Sequence, residues 1–259
     1  MPIPDPTLFS FPARHHSVSK PDISSYSTGF LSPTGLHPTL RLTFPSLELE
    51  PPSESCALHT YLTLPSTIFP DKYQLSSPLF LASKNLRSLR SVSGETDLEA
   101  PDWAIEKWGS AILVELATPL AGSRSNQGPW HADIPLHLRY LSPSVSGVAT
   151  TEIPWPVVFW ACTAEEGTKM SVNPFDRVNL GYDGLFGPKT MFYHLPPYNS
   201  SGKLVETLLV PVLQTQKASW IEPGTVAVVM LGFCWVLWKL LLLAHGQSTR
   251  KLDRGKKAQ

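Results

Sequence analysis

From Thr39 onward, apolar and polar side chains alternate along much of the chain. "TLRLTF", "LELE" and "CALHTYLTL" hold apolar residues at every second position for part of their length. "SAILVELA" (110–117), "IPLHLRYL" (134–141), "VATTEI" (148–153), "PVVFWAC" (156–162), "TMFYHL" (190–195) and "KLVETLLVPVL" (203–213) continue the series. A period of two sends successive side chains to opposite faces, the pattern of a half-buried strand. Turn-prone stretches such as "AGSRSNQGPW" and "NSSG" separate the candidates, and only "APDWAIEKWG" offers a weak helical pattern. Many short strands separated by turns predict a mainly β, antiparallel, sandwich-like body. No repeat of fixed period is visible, which weighs against a propeller or solenoid. In "IPLHLRY", alternation directs Leu136, Leu138 and Tyr140 to a core and leaves His137 and Arg139 on the opposite face.

The alternation is absent at both ends. Residues 1–36 are rich in Pro, Ser and His without periodicity and are expected to be poorly ordered, with His15 and His16 solvated. At the other end, Gly224–Ala244 gives 21 residues with Lys239 as the single charge. At about 1.5 Å per residue this stretch crosses a hydrocarbon core of roughly 30 Å, and every face of it is apolar, unlike a core helix. Pro223 suits the first turn of such a helix, and Trp220, Trp235 and Trp238 suit interfacial anchoring. Lys239 either extends its stem to place its ammonium among head groups or pairs with a carboxylate on a partner's helix. The expected organisation is a proline- and serine-rich start (1–36), a β-rich body (37–219), a transmembrane helix (224–244) and a basic tail (245–259).

Charge orients this arrangement. The formal net charge is zero, yet Arg250, Lys251, Arg254, Lys256 and Lys257 crowd the tail while the body is mildly acidic. The positive-inside rule then puts the tail in the cytosol and the body in a lumen. The closing "KKAQ" looks like a dilysine retrieval address, with Lys256 and Lys257 as the lysines read by a receptor in type I proteins of the endoplasmic reticulum. Asn199 in "NSS" is an acceptor for N-linked sugar, which requires lumenal exposure. An oxidising lumen permits Cys56 and Cys162 to pair, although spacing leaves two free buried thiols equally open. "MPIPDPTLFSFPARHHSVSK" lacks the apolar core of a signal peptide, so either the start is missing or the body crosses by an unusual route. Proline, at 26 residues, is about twice its usual share of roughly 5% and argues for short strands over long helices. No clustered basic footprint exists in the body, so nucleic acid is excluded as a partner.

The search for chemistry finds little. The chain has no G-x-S-x-G, glycine-rich phosphate loop, H-E-x-x-H or paired C-x-x-C. Glycines 181, 184 and 187 in "GYDGLFGP" read as a surface loop. "DLE", with Asp97 and Glu99, has the spacing of a divalent-metal pair but reads better as an acidic turn before Pro101. His59, His131, His137 and His194 are scattered singly. The expectation is therefore no catalytic set, no metal and no cofactor.

"LPSTIFPDKYQL" (64–75), "DLEAPDWAIEKWGSAILVEL" (97–116), "IPLHLRYLSP" (134–143) and "IPWPVVFWAC" (153–162), followed by one span, resemble the PIG-X family in several blocks of consistent order. Asp71, Tyr73, Asp97, Glu99, Pro101, His137, Arg139 and Tyr140 are the positions that carry this resemblance. It implies an endoplasmic-reticulum membrane protein, the non-catalytic subunit that stabilises the multi-spanning catalytic subunit of glycosylphosphatidylinositol (GPI) mannosyltransferase I. That partner would add the first mannose to the anchor precursor. Its contacts would then be the catalytic subunit and membrane lipid, with no small-molecule substrate of its own. Two other readings stand beside it: a general lumenal chaperone with several clients, and a glycan- or lipid-processing enzyme using Asp97, Glu99, His137 or Arg139.

Overall fold

The computed structural model describes residues 25–45, 49, 51–95, 97–105, 108–118, 129–163, 183–187, 189–198 and 204–256; in the last helix, side chains at 218, 244 and 246–256 lie outside that description. Twelve strands and two α-helices follow one another among the described residues. They are β1 (Ser27–Phe30), β2 (Thr39–Phe44), β3 (Cys56–Pro65), β4 (Ile68–Phe69), α1 (Pro78–Ser83), β5 (Leu86–Gly94), β6 (Gly109–Leu116), β7 (Trp130–Pro135), β8 (His137–Leu138), β9 (Val148–Pro154), β10 (Val157–Thr163), β11 (Thr190–His194), β12 (Val205–Pro211) and α2 (Thr215–Lys256).

The chain is mainly antiparallel β, as the alternation predicts. A five-stranded sheet runs β11-β10-β3-β6-β5, a three-stranded sheet runs β1-β2-β7, and β12-β9 and β4-β8 form two-stranded pairs. β2 keeps the predicted alternation, with Leu40, Leu42 and Phe44 fully buried and Thr39, Arg41 and Thr43 less so. On the outer side of that strand Arg41 and its cross-strand partner Asp133 form a bidentate pair at 2.7 and 2.9 Å. β6 is buried at every position because its sheet is covered on both faces. One face carries Leu58, Leu62, Ile112, Val114 and Val158. The other carries Leu113, Val157, Phe159, Ala161 and Phe192, over which Tyr61 and Phe186 are packed.

Several elements depart from the expectations. β1 lies inside the stretch 1–36 expected to be poorly ordered. Pairing with β2 and the complete burial of Tyr26, whose hydroxyl donates to Pro156 O at 2.5 Å, supply order that the local sequence does not advertise. "LRSLRSVSG" forms β5 although it lacks alternation, because two register irregularities against β6 break its period. The described residues of "APDWAIEKWG" hold a 3-10 turn at Asp102–Ala104 and no α-helix. Gly109 then enters β6 with φ +139°, where a Cβ would overlap the carbonyl of Leu64, so no helix extends through it. Most of "LELE" lies outside the described residues.

Residues 143–148 and 211–259 form a second unit. Helix α2 starts at Thr215, so Pro223 sits inside it and not in its first turn. The early start has a local cause. Ser144 N donates to Leu213 O at 3.0 Å, Val212 N to Gly147 O at 2.9 Å and Thr215 N to Ser144 O at 3.0 Å, which satisfies donors and acceptors before the helix begins. Ser219–Leu243 of this helix is apolar and long enough to cross a membrane, with mean hydropathy 2.4 and none of it buried within the chain.

Cys56 and Cys162 face each other directly across β3 and β10 and are joined by a disulfide. The bridge closes a loop of 106 residues, so its removal frees a large unfolded ensemble. Replacing both cysteines by serine is expected to lower the stability of the full chain by about 2–5 kcal/mol, read as a reduced denaturation midpoint in detergent.

Candidate functional site

The eight positions singled out from sequence lie in three segments, 71–73, 97–101 and 137–140, and the fold brings all three together around β4 and β8. Phe69 stands opposite His137 and Ile68 opposite Leu138. β8 is only two residues long, and this corrects the reading of "IPLHLRY". Beyond Leu138 the period of two no longer applies. Arg139 turns inward and is 4% exposed, while Tyr140 turns outward and is 72% exposed, the reverse of the expectation. Leu136 and Leu138 are buried as predicted, and His137 is half-buried.

Arg139 holds the second segment in place. Its Nη1 donates to the carbonyls of Asp97 and Ala100 at 2.5 and 2.8 Å, and its guanidinium carbon lies 4.4 Å from the centre of the Phe69 ring. Nη2 has no partner among the described residues. Burial pushes the pKa of this group down, while Glu95, Asp97 and Asp102 push it up. A guanidinium remains charged under such influences.

The acidic residues are occupied with backbone. Asp97 Oδ1 accepts from Glu99 N at 3.0 Å, and Asp71 Oδ1 accepts from Tyr73 N and Gln74 N at 2.8 and 3.3 Å. Pro101 precedes the 3-10 turn, whose Asp102 accepts from Ser66 Oγ at 2.6 Å and donates through its backbone N to Tyr140 O at 3.1 Å. Among the described residues no three His, Cys, Asp or Glu side chains come together as a metal site. What faces outward is aromatic: Tyr73 is 67% exposed, Trp103 64% and Tyr140 72%. Exposed aromatic groups set among fixed polar turns are the composition of a contact surface.

Beside them a cleft of about 330 Å³ is lined by His37, Thr39, Gln74, Phe80, Lys84 and His137. With Gln74 Oε1 accepting from Nε2–H of His137 at 3.0 Å, Nδ1 of His137 carries a lone pair and accepts from Nδ1–H of His37 at 2.9 Å. Burial, then the neighbouring His37, pushes the pKa of His137 down, and Asp71 opposes them. Sequence reasoning missed His37, Gln74, Phe69 and Trp103. Trp103 lies in "APDWAIEKWG", whose weak helical pattern gives no sign that its ring faces outward. No local signal links a loop histidine in "GLHPTL" to a strand residue far along the chain.

On the face of the five-stranded sheet that carries Phe159, His59 stands opposite Glu115. His59 is buried, its Nδ1–H donates to Ala57 O at 3.0 Å, and burial pushes its pKa down. Glu115 accepts from Ser88 Oγ at 3.0 Å and pairs with Arg87 and Arg90 at 3.3 and 3.8 Å. Lys239 lies in α2 with its ammonium 4.8 Å from the Trp235 ring centre. Asn199, Lys257, His15, His16 and Gly181 lie outside the described residues, as does the side chain of Lys256, the last residue of α2.

Arg139→Ala removes the donor from two carbonyls and is expected to cost about 1–3 kcal/mol, measured as a lowered denaturation midpoint, with faster proteolysis at 97–101. The depressed pKa of His137 means the unfolded chain binds its proton more readily. Its stabilising contribution is therefore full above the ordinary histidine pKa of 6.5 and is lost as pH falls through the folded value. Thermal midpoints across this window are expected to fall less on acidification for His137→Gln than for the unaltered chain.

The PIG-X / PBN1 family model matches residues 33–241. Protein pbn1 of Aspergillus fumigatus is 56% identical over 276 residues, covering 98% of this chain and 56% of that protein. Protein pbn1 of Aspergillus oryzae is 59% identical over 259 residues, covering 95% of this chain and 46% of that protein. Protein PBN1 of Saccharomyces cerevisiae is 33% identical over 227 residues, covering 86% of this chain and 46% of that protein. The chain thus spans about half the length of the curated relatives it matches. No solved structure matches it. With most of its length inside the family model, this chain belongs to the PIG-X / PBN1 family.

Proposed function

We propose that this chain acts in GPI-anchor biosynthesis as the non-catalytic subunit that stabilises the catalytic subunit of GPI mannosyltransferase I in the membrane of the endoplasmic reticulum. Family membership and one observation support this reading. The three segments that carry the resemblance converge on a surface where Asp71, Asp97 and Arg139 hold backbone in place while Tyr73, Trp103 and Tyr140 face outward. Such a surface is suited to being packed against. The polar groups fix its shape, and the rings supply large contact area at low conformational cost.

The mechanism is mass action. A subunit that binds only the folded form of its partner lowers the unfolded fraction and hence the rate of degradation. The body faces the lumen and the basic tail the cytosol in this proposal. A disulfide joining Cys56 and Cys162 favours an oxidising compartment, and the basic residues after the span favour a cytosolic tail.

Loss of this chain is expected to lower the steady-state amount of the catalytic subunit and of anchored surface proteins. Trp103→Ala combined with Tyr140→Ala is expected to reproduce that loss several-fold while the chain's own abundance and denaturation midpoint stay unchanged. Quantitative immunoblotting of both subunits reads the result. An unchanged catalytic-subunit level in the deletion overturns the stabilising role.

A further inference from the structure

Lys239 is the one charge between Gly224 and Ala244, and its placement within α2 is specific. At about 1.5 Å per residue its Cα lies roughly 6 Å inside the Leu243 end of the apolar segment Ser219–Leu243. A lysine so near an end reaches head groups only by extending toward that end. Helical side chains instead tilt toward the helix N-terminus, and here the ammonium lies over Trp235, one turn back and further into the span, at 4.8 Å from the ring centre. Its other neighbours along the helix face, Val236, Leu242 and Leu243, offer no acceptor. A single ring meets one side of an ammonium, and its remaining N–H donors in hydrocarbon require an oxygen. The acid within Ser219–Leu243, Glu222, stands near the opposite end of the segment.

We propose that Lys239 is a membrane-embedded docking contact, pairing with an aspartate or glutamate carboxylate on a transmembrane helix of the partner protein. This rests on the reading that a multi-spanning partner exists. Charge complementarity selects the occupant. A second copy of this chain would bring another Lys239 and be repelled, and a lipid phosphate lies at the head-group level from which the ammonium is turned away. Gly232, one turn beyond Trp235 on the same stripe, has open space where a Cβ would be, so a neighbouring helix has room to approach there.

The test uses the full chain, tagged and purified from native membranes in mild detergent, with Lys239→Leu, Lys239→Arg and Lys239→Glu. Lys239→Leu and Lys239→Glu are expected to lose at least about 10-fold of the co-purified multi-spanning partner, a difference in the range of one lost interhelical charge contact. Lys239→Arg retains it, and all variants remain resistant to alkaline extraction. A membrane-soluble carbodiimide on the unaltered chain should join Lys239 to an Asp or Glu of an apolar partner peptide, which decides the matter even if a variant fails to accumulate. Unchanged co-purification by Lys239→Leu and Lys239→Glu, or a carbodiimide product lacking Lys239, overturns this contact and leaves the stabilising role standing. Absence of any multi-spanning partner with the unaltered chain overturns both.

Discussion

A buried guanidinium with few acceptors available must be surrounded by carbonyls, and the surroundings of Arg139 follow from that requirement. Its side chain is nearly removed from solvent, so the segment 97–100 has to curl until two of its carbonyls point at Nη1. Curling places Asp97 so that its carboxylate closes a turn on Glu99, and the chain then reaches Asp102, whose amide bonds the carbonyl of Tyr140. Phe69 supplies the floor on which the guanidinium lies. A single cation thereby ties together β4, the segment 97–100 and the residues that follow β8, and the rings of Trp103 and Tyr140 face outward beside it.

The rest of the first unit gives this arrangement a stiff support. β3 and β6 lie in the interior of the five-stranded sheet, β6 buried at every position and β3 over more than half of its length, and the disulfide joins β3 to β10 at one end of their pairing. Strands with apolar partners on two sides lose more on distortion than half-solvated ones, because each displaced side chain vacates packed space. β4 follows β3 after a short turn, so Phe69 inherits its position from a strand paired on both sides and tied by the disulfide.

Much of this was legible in the sequence. The membrane-crossing segment and β2, β3, β6, β9, β10, β11 and β12 follow directly from apolar spacing, a local property. β5 was hidden because bulges move its side chains out of phase, and β1 because its order comes from Tyr26 packing against distant residues. The positions 71–73, 97–101 and 137–140 were recognisable through resemblance, yet the assignment of faces failed at Arg139 and Tyr140. Alternation predicts faces only while a strand persists, and β8 stops after Leu138. The meeting of His37 with His137 was invisible, since nothing in either segment records a neighbour so remote in the chain.

Helix α2 runs unbroken for 42 residues. At about 1.5 Å per residue it is roughly 63 Å long, about twice the thickness of a hydrocarbon core. Pro223 forfeits one hydrogen bond without ending it. With Ser219–Leu243 in a bilayer, such a helix would extend beyond it at both ends. In a rigid helix of that length, a tilt imposed where it begins, beside Ser144 and Gly147, would displace its far end in the opposite direction.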